Sequence, residues 1–459
     1  FDPENDGIDF YESLEGMRVT VKDAVAVSAT NRFGEIFVLA DEGEGATGRN
    51  DRGGITLAPD DANPERIQIQ FDNDVLRNFD QTVDVGARLG DVTGVVDYNF
   101  GNFEVKVTQA FPILAPSALE RETTALTPTE NGLTIATYNV LNLSPQDTAQ
   151  LAALGAQIAT NLGGPDIIGL QEIQDASGEV DDGTVSGAAT LQALADAIAA
   201  AGGPTYAFAE VAPADGTSGG VPGGNIRNAF LYNADRVDLV EGSVTALGTG
   251  EAAFADTRQP LQAQFLFNGE TVTVINNHFP SKSGSTPLFG TEQPSIDGGA
   301  DQRLAQAEFL KAHVSALEAA EPDAKVVFLG DLNDLQFSRA VQTLQGEGAD
   351  QVLFDRLDTL EGDATYTYNF EGNSQVLDHM LFNEALRDRA EVDIVHANVD
   401  FADQASDHEA IVARVEIEPA ASTEYQLQIL HASDLEGGVE AIGRAANFAA
   451  LADLFEDEY

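Results

Sequence analysis

The chain has no cysteine and no tryptophan among its 459 residues, only 2 methionines and 6 histidines, and 23 Lys and Arg against 76 Asp and Glu. Without a thiol there is no disulfide, no thiolate nucleophile and no sulfur-rich metal centre, and thiols say nothing about redox compartment. No apolar run approaches the roughly 18 residues of a membrane-spanning helix. The start at Phe1 without Met, with no signal sequence, fits a processed or truncated product. The formal net charge of -53 excludes a polyanion grip built on many Lys and Arg contacts, yet 43% hydrophobic residues exclude a disordered acidic chain. Such a protein repels polyanions at low salt. At about 1 M salt the Debye length shrinks to roughly 3 Å and the repulsion is screened, so a saline, calcium-rich exterior suits it.

The length predicts two or three domains. Residues 1–115 read as short strands between Gly and Asp turns, among them EIFVLA (35–40), RIQIQF (66–71) and NFEVKVTQ (102–109), which predicts a small β-barrel. The run GARLGDVTGVVDYNFGNFEVKV resembles the oligonucleotide/oligosaccharide-binding (OB) fold. No stripe of aromatic and basic residues stands out there. A Pro-containing stretch starting at Phe111 reads as a linker, assigned to residues 116–132. From Leu133 strands alternate with amphipathic helices, predicting a layered α/β domain over 133–418. The clearest helix starts at Ser144, with Pro145 at its first position, carries Leu151, Leu154, Ile158 and Leu162, and stops at Gly163. Others are expected at 188–201 and 301–319. The tail, 419–459, reads as a linker and the start of a further domain resembling 5'-nucleotidase-type metallophosphatases; Asp434 matches a metal-holding Asp there, whereas Glu436 stands where His is usual.

In the middle domain, strand after strand ends in a residue able to bind metal, phosphate or a proton. Asn139 follows LTIATY, Glu172 follows DIIGLQ, His278 follows TVTVINN, Asp331 and Asn333 follow VVFLG, Asp378 lies in VLDH, and Asp407 with His408 precedes AIVARV. Strand ends of a layered sheet converge on one rim, so these positions can meet in space. Singly they carry little: with 76 acidic residues a carboxylate after a strand is ordinary, and Asn139, Glu172 or Asp331 could equally serve a turn or a helix cap. Histidine is scarcer, and His278, His379 and His408 all sit at strand boundaries. His313, His396 and His431 read as structural.

The ordered set TYNVLN, GLQEI, HFPSK, GDLND, VLDH and SDH resembles the successive motifs of the endonuclease/exonuclease/phosphatase superfamily, over roughly residues 133–417. That group contains deoxyribonuclease I, apurinic endonucleases, sphingomyelinases and inositol-phosphate phosphatases. INNHFPSKSG and DQRLAQAEFL are most similar to its secreted bacterial nucleases. The resemblance implies a four-layer α-β-β-α sandwich over about 125–418 and metal-dependent phosphodiester hydrolysis, for which hard oxygen ligands suit Mg first, with Mn or Ca as alternatives and further structural Ca conceivable. It implies Glu172 as main metal ligand, with Asn139 and Asp407 beside it. Asp331 and Asn333 would orient the water and bind phosphate, His408 would act as base or phosphate contact polarised by Asp378, and His278 would be the general acid. Arg258, Lys282 and Arg227 are the expected phosphate cations, and Arg303 is ambiguous because it could simply pair with a carboxylate. The expected substrate is nucleic acid, DNA ahead of RNA, for an extracellular or cell-surface bacterial enzyme. Two alternatives stay open: a phospholipid or small-phosphoester phosphodiesterase, and an inert acidic surface module.

Overall fold

In the computed structural model, residues 8–420 are described apart from 73, 78, 80, 222, 291, 293 and 361–363. The metallophosphatase-like reading of Asp434 and Glu436 falls outside the described residues. The short alternating runs of the first 115 residues form, after a helix α1 (Ile8–Leu14), the strands β1 (Arg18–Val21), β2 (Val25–Ala26), β3 (Glu35–Leu39), β4 (Ile55–Thr56), β5 (Ile67–Gln70), β6 (Arg88–Leu89), β7 (Val92–Asn99), β8 (Asn102–Val107) and β9 (Ile113–Ala115). All except β4 join one sheet in the order β1-β7-β8-β5-β3-β2-β6-β9. In β7, Val92, Gly94 and Val96 are buried while Thr93, Val95 and Asp97 are half-exposed, the period of two that puts one strand face on a core. That core gathers Ile36, Val38, Ile69, Val92, Val96 and Val105. Eight strands in this order make a larger sheet than the five-stranded OB barrel. Strand β9 absorbs the start of the Pro-containing stretch, and the remainder of that stretch is fastened down: Arg121 Nε donates to Ala397 O (2.9 Å) and Glu122 pairs with Arg52 (2.5 Å).

The second part opens on β10 (Gly132–Leu143), α2 (Thr148–Thr160), β11 (Ile167–Ile173), α3 (Ala188–Ala200), β12 (Tyr206–Glu210), β13 (Arg227–Asn233), β14 (Asp238–Leu239), β15 (Thr245–Ala246), β16 (Leu261–Phe267) and β17 (Glu270–His278). It continues with α4 (Ala300–Ala320), β18 (Lys325–Asp331), α5 (Arg339–Gln345), β19 (Phe354–Asp355), β20 (Tyr368–Phe370), β21 (Asn373–Gln375), β22 (Asp378–Phe382), β23 (Ala390–Val395) and β24 (Ala410–Glu416). One sheet runs β12-β13-β11-β10-β24-β23, the other β14-β16-β17-β18-β22-β19 with β15 beside β16. Between them lies an apolar layer of Ile135, Phe230, Phe265, Val274, Leu329, Met380 and Ile411. Leu154 and Ile158 of α2 and Leu194 and Ile198 of α3 cover the first sheet, while Leu310 and Val314 of α4 and Val341 and Leu344 of α5 cover the second. The layers therefore run helix, sheet, sheet, helix. Helix α2 starts at Thr148 and not at Ser144, because the Asp147 carboxylate turns back to accept from the Ser144 N–H (2.9 Å) and hydroxyl, fixing a turn ahead of the helix.

The two parts share strands. Hairpin β20–β21 pairs in parallel with β4, setting Asn373 opposite Ile55 and Ser374 opposite Thr56. At the hairpin turn Glu371 accepts from Asn102 Nδ2 (2.8 Å), Arg66 binds its carbonyl, and Asn63 Nδ2 donates to Asn373 Oδ1 (2.7 Å). Gly372, at φ +80°, lies so close to Phe37 that a side chain there would collide with the ring.

Candidate active site

Three strands of the second sheet end level with one another: the register sets His278 opposite Asp331, and Asp331 opposite Asp378. Gly330 makes this approach possible, since at φ +133° a Cβ would collide with the Asn277 carbonyl. From the first sheet, β10 and β11 pair regularly up to Asn139–Gln171, break register, and meet again at Leu143–Ile173. Inside this irregularity Leu141, Asn142 and Glu172 take φ of +50°, +49° and +64°, a left-handed region uncommon for side-chain-bearing residues. Such a bulge re-aims a side chain, and here it turns Glu172 onto the rim. Glu172 Oε2 accepts from Asn142 N–H (2.8 Å) and Oε1 from Asn139 Nδ2 (3.2 Å). The same Asn139 amide reaches across to Asp331 Oδ2 (3.0 Å), tying the sheets at the rim. Below it Gln171 Nε2 donates to Asn276 Oδ1 (2.6 Å), a second polar tie, wholly buried.

Around Asp331 the remaining groups close in. Asn333 donates to it from its backbone (2.8 Å) and its amide (3.1 Å). His278 Nε2 lies 3.5 Å from Asp331 Oδ2 and 3.8 Å from Glu172 Oε1. His408 Nδ1 lies 2.7 Å from Asp378 Oδ2, while its Nε2 faces Asp331 Oδ2 at 3.8 Å and Asp407 Oδ1 at 4.0 Å. Arg258, buried, donates to Phe279 O (2.5 Å), and its charge acts on both Glu172 and Asp331. The loop before β24 is fixed by Ser406, whose hydroxyl donates to Asn139 O (2.6 Å) and accepts from the His408 N–H (3.2 Å).

Burial and charge push the two histidines apart. Burial lowers the His278 pKa well below its ordinary value, helped by the positive charges of Arg258 and His408, so this ring is neutral at pH 7. For His408 burial also disfavours the cation, but Asp378, Asp331 and Asp407 together outweigh it and hold the pKa well above the ordinary value. Asp331 is raised to about 7 by burial, with Asp378 and Glu172 adding to the rise and His408 opposing it. Burial and then the Asp407 charge raise Glu172.

A divalent cation fits this set. Glu172, Asp331, Asp378 and Asp407 crowd about Arg258 and His408, and the buried Asp378 Oδ1 and His278 Nδ1 have no hydrogen-bond partner among the described residues. Glu172, His278 and Asp331 place ligand atoms within 4.8 Å of one another, as do Asp331, Asp378 and His408. Carboxylate and amide oxygens without sulfur are the donors hard cations take.

Asn139, Glu172, Arg258, His278, Asp331, Asn333, Asp378, Asp407 and His408 thus come together. Three other cations do not join them. Arg227 on β13, 3% exposed, is consumed by Glu210 (2.9 Å), Asn225 O (2.6 Å) and Val185 O, so it is a structural cation and not a phosphate contact. Lys282 lies 3.0 Å from both Asp297 and Asp334, and the wholly buried Arg303 binds the same two carboxylates at 2.7 and 3.0 Å; this cluster fastens the 280–298 loop to α4. His379 spans Asp355 and Asp334 O, both at 2.9 Å, inside the protein. Removing one partner of a buried ion pair strands the other, so Arg227→Ala is expected to lose roughly 3 kcal/mol of stability, read by urea unfolding, while turnover per folded molecule is unchanged. A loss of turnover with no loss of stability would return Arg227 to the site.

Tyr368 escapes the sequence reading. Its ring lies 4.8 Å from the His408 ring, tilted by 42°, and its phenol pKa is raised by burial and then by the charges of Asp407, Asp331 and Glu172. The one sequence signal is the alternation Tyr366, Tyr368, Phe370 ahead of VLDH, which by itself reads as strand packing.

A two-sheet sandwich with carboxylates, amides and imidazoles on one rim defines a hard-metal phosphoester hydrolase. The model of the endonuclease/exonuclease/phosphatase family matches residues 136–408, more than half of the chain, and the chain belongs to that family; it is a metal-dependent phosphodiester hydrolase. Residues 1–118 match a domain of unknown function, DUF8508. No curated protein sequence matches the chain. Similar solved structures include a humanized zebrafish (D. rerio) TDP2 carrying 14 mutations, 20% identical over 62% of this chain and 98% of that one, with a TM-score of 0.42. An endonuclease/exonuclease/phosphatase from Bacteroides vulgatus is 16% identical over 62% and 99%, at 0.42. The human Nocturnin catalytic domain with bound sulfate is 15% identical over 62% and 94%, at 0.39.

Proposed function

We propose that the chain is a secreted bacterial nuclease that hydrolyses phosphodiester bonds of nucleic acid, DNA first, with Mg as its working cation. The observation that carries the reading is one rim on which Glu172, His278 and Asp331 place ligand atoms within 4.8 Å of one another, with His408 Nε2 3.8 Å from Asp331 Oδ2. Glu172, with Asn139 and Asp407, would hold the divalent ion. When bound, that ion neutralises nonbridging phosphate oxygens and the charge growing on the leaving oxygen. Asp331, fixed by both Asn333 hydrogen bonds, takes the proton of the attacking water, a task suited to a carboxyl titrating near neutrality. His408, kept cationic by Asp378, offers its Nε2 proton to the phosphate or to the leaving oxygen. In this reading His278 stays neutral and takes up the ligand side of the site, so the acid part that the family resemblance implies for His278 passes to His408 and the base part to Asp331. Arg258 offsets the carboxylates from behind.

The exterior is the setting this charge favours, because salt screens the repulsion between a -53 protein and a polyanion. Plasmid DNA, RNA and bis(4-nitrophenyl) phosphate are to be digested in Mg, Mn or Ca, with and without chelator, from low salt to about 1 M. The expected result is nucleic-acid cleavage that chelation abolishes, metal restores and salt sustains. Cleavage of the small diester alone would refute the nuclease and leave the phosphodiesterase.

A further inference from the structure

Three cations of the N-terminal part are tied to carboxylates. Arg52 binds Asp400 and Glu122, Arg88 binds Glu42, and Lys106 binds Asp97 and Glu104. Arg32 is exposed, and it is set apart from the other exposed cations there by its guanidinium lying 4.8 Å from the centre of the Phe33 ring. Phe33 itself is 63% exposed, an apolar ring held in water. The loop that presents the two, between β2 and β3, is built rather than loose. Asn31 Oδ1 accepts from the N–H of Phe33 (2.9 Å) and of Glu35 (3.0 Å), Gly34 N–H donates to Asn31 O (3.0 Å), and Gln70 Nε2 donates to Phe33 O (3.0 Å).

This loop stands on the hairpin that carries Tyr368. Asn369, next to Tyr368, donates from Nδ2 to Val27 O at the root of the loop (3.3 Å), and Phe37 at the other root packs on Gly372. Tyr368 in turn lies against His408. The Arg32 charge is close enough to act on the Tyr368 phenol, opposing the rise that burial imposes. An arginine with no carboxylate partner among the described residues and an open aromatic ring thus sit on a fixed loop joined to the hairpin that carries Tyr368, in a very acidic protein where positive charge is scarce.

We propose that Arg32 and Phe33 are a nucleic-acid subsite of the same active site, Phe33 stacking on an unpaired base and Arg32 pairing with a backbone phosphate that flanks the scissile one. Stacking on an aromatic ring is tolerant of sequence because every base has a π face, and a guanidinium matches a phosphate with two parallel hydrogen bonds. The N-terminal part then belongs to the substrate-binding surface. The inference rests on the nuclease reading of the active site.

The test compares the full chain with Phe33→Ala and Arg32→Ala on a single-stranded oligodeoxynucleotide and on bis(4-nitrophenyl) phosphate, which is too small to reach the loop. Both positions are exposed, so both variants fold. Phe33→Ala is expected to raise KM for the oligonucleotide about tenfold with kcat little changed, and to leave the small diester untouched. Arg32→Ala is expected to weaken oligonucleotide binding several-fold and to reduce the slope of log affinity against log salt by about one. Unchanged KM and salt slope in both variants, with wild-type cleavage intact, would overturn this subsite and spare the nuclease reading. Equal losses on both substrates would also overturn it, showing that the loop acts by holding the Tyr368 hairpin. A wild-type chain that cleaves only the small diester would fail earlier, at the nuclease reading itself.

Discussion

Asp331→Asn lowers kcat by about a thousandfold, a barrier increase of roughly 4 kcal/mol, with the fold intact. Asparagine keeps the shape and can still accept from the Asn333 N–H (2.8 Å), but its amide nitrogen cannot accept from the Asn139 and Asn333 amides (3.0 and 3.1 Å), so two hydrogen bonds go with the ability to take a proton. The pH profile separates this from a positioning defect. A base must be ionised to act, so wild-type kcat/KM falls as pH drops through the Asp331 pKa, at about 7 without metal and lower with a cation bound beside it. In Asp331→Asn that acid limb disappears. The alkaline limb, set by loss of the His408 proton and displaced upward by Asp378, remains. Stability moves the other way. Because the folded carboxyl titrates at about 7 and an unfolded Asp near 4, the unfolded state holds fewer protons between those values, and the metal-free wild type loses stability as pH rises across that window. Asp331→Asn lacks that pH dependence, so in chelator its melting temperature does not fall across the window as that of the wild type does. A variant that keeps the acid limb, or one merely unfolded, would contradict the role.

Glu172→Gln is expected to raise the divalent-ion concentration needed for half-maximal activity by more than about 100-fold, beyond what loss of a supporting group around a metal ligand costs. Glutamine preserves the length of the side chain on its left-handed backbone, φ +64°, and an oxygen for the Asn142 N–H. It removes one negative charge from a crowded rim, where burial and Asp407 already raise the Glu172 pKa. Relief of that repulsion offsets the loss of the Asn139 hydrogen bond to Oε1 (3.2 Å), so the variant folds, and its defect is partly repaired by excess Mn. A variant of normal metal dependence would take Glu172 out of the first position among the ligands.

Groups near the ends of neighbouring strands were legible in the sequence because register carries them: His278, Asp331 and Asp378 need only that three adjacent strands stop level. The alternation of strands and amphipathic helices showed a layered α/β domain, while the two-sheet, helix-flanked form came from the family resemblance of the motifs. What could not be read was which cations are already spent. Arg227 meets Glu210 across the β12–β13 pair, and Lys282 meets Asp334 from 52 residues away, contacts that local pattern does not encode. Tyr368 was hidden for the same reason, since an aromatic in an alternating strand looks like packing until the His408 ring is found beneath it. The pairing of β4 with β21, which binds the N-terminal strands to the active-site hairpin, joins residues more than 300 apart and leaves no mark in either segment. The Ser144 helix start failed more locally, because Asp147 spends its carboxylate on the preceding turn.

The most direct measurement is anomalous diffraction from crystals soaked in Mn²⁺. A peak is predicted at the Glu172 carboxylate, beside Asp331, and absent from Glu172→Gln at the same Mn²⁺ concentration. Manganese bound only elsewhere, in crystals of a chain that hydrolyses phosphodiesters under those conditions, would contradict the assignment of this rim as the catalytic centre.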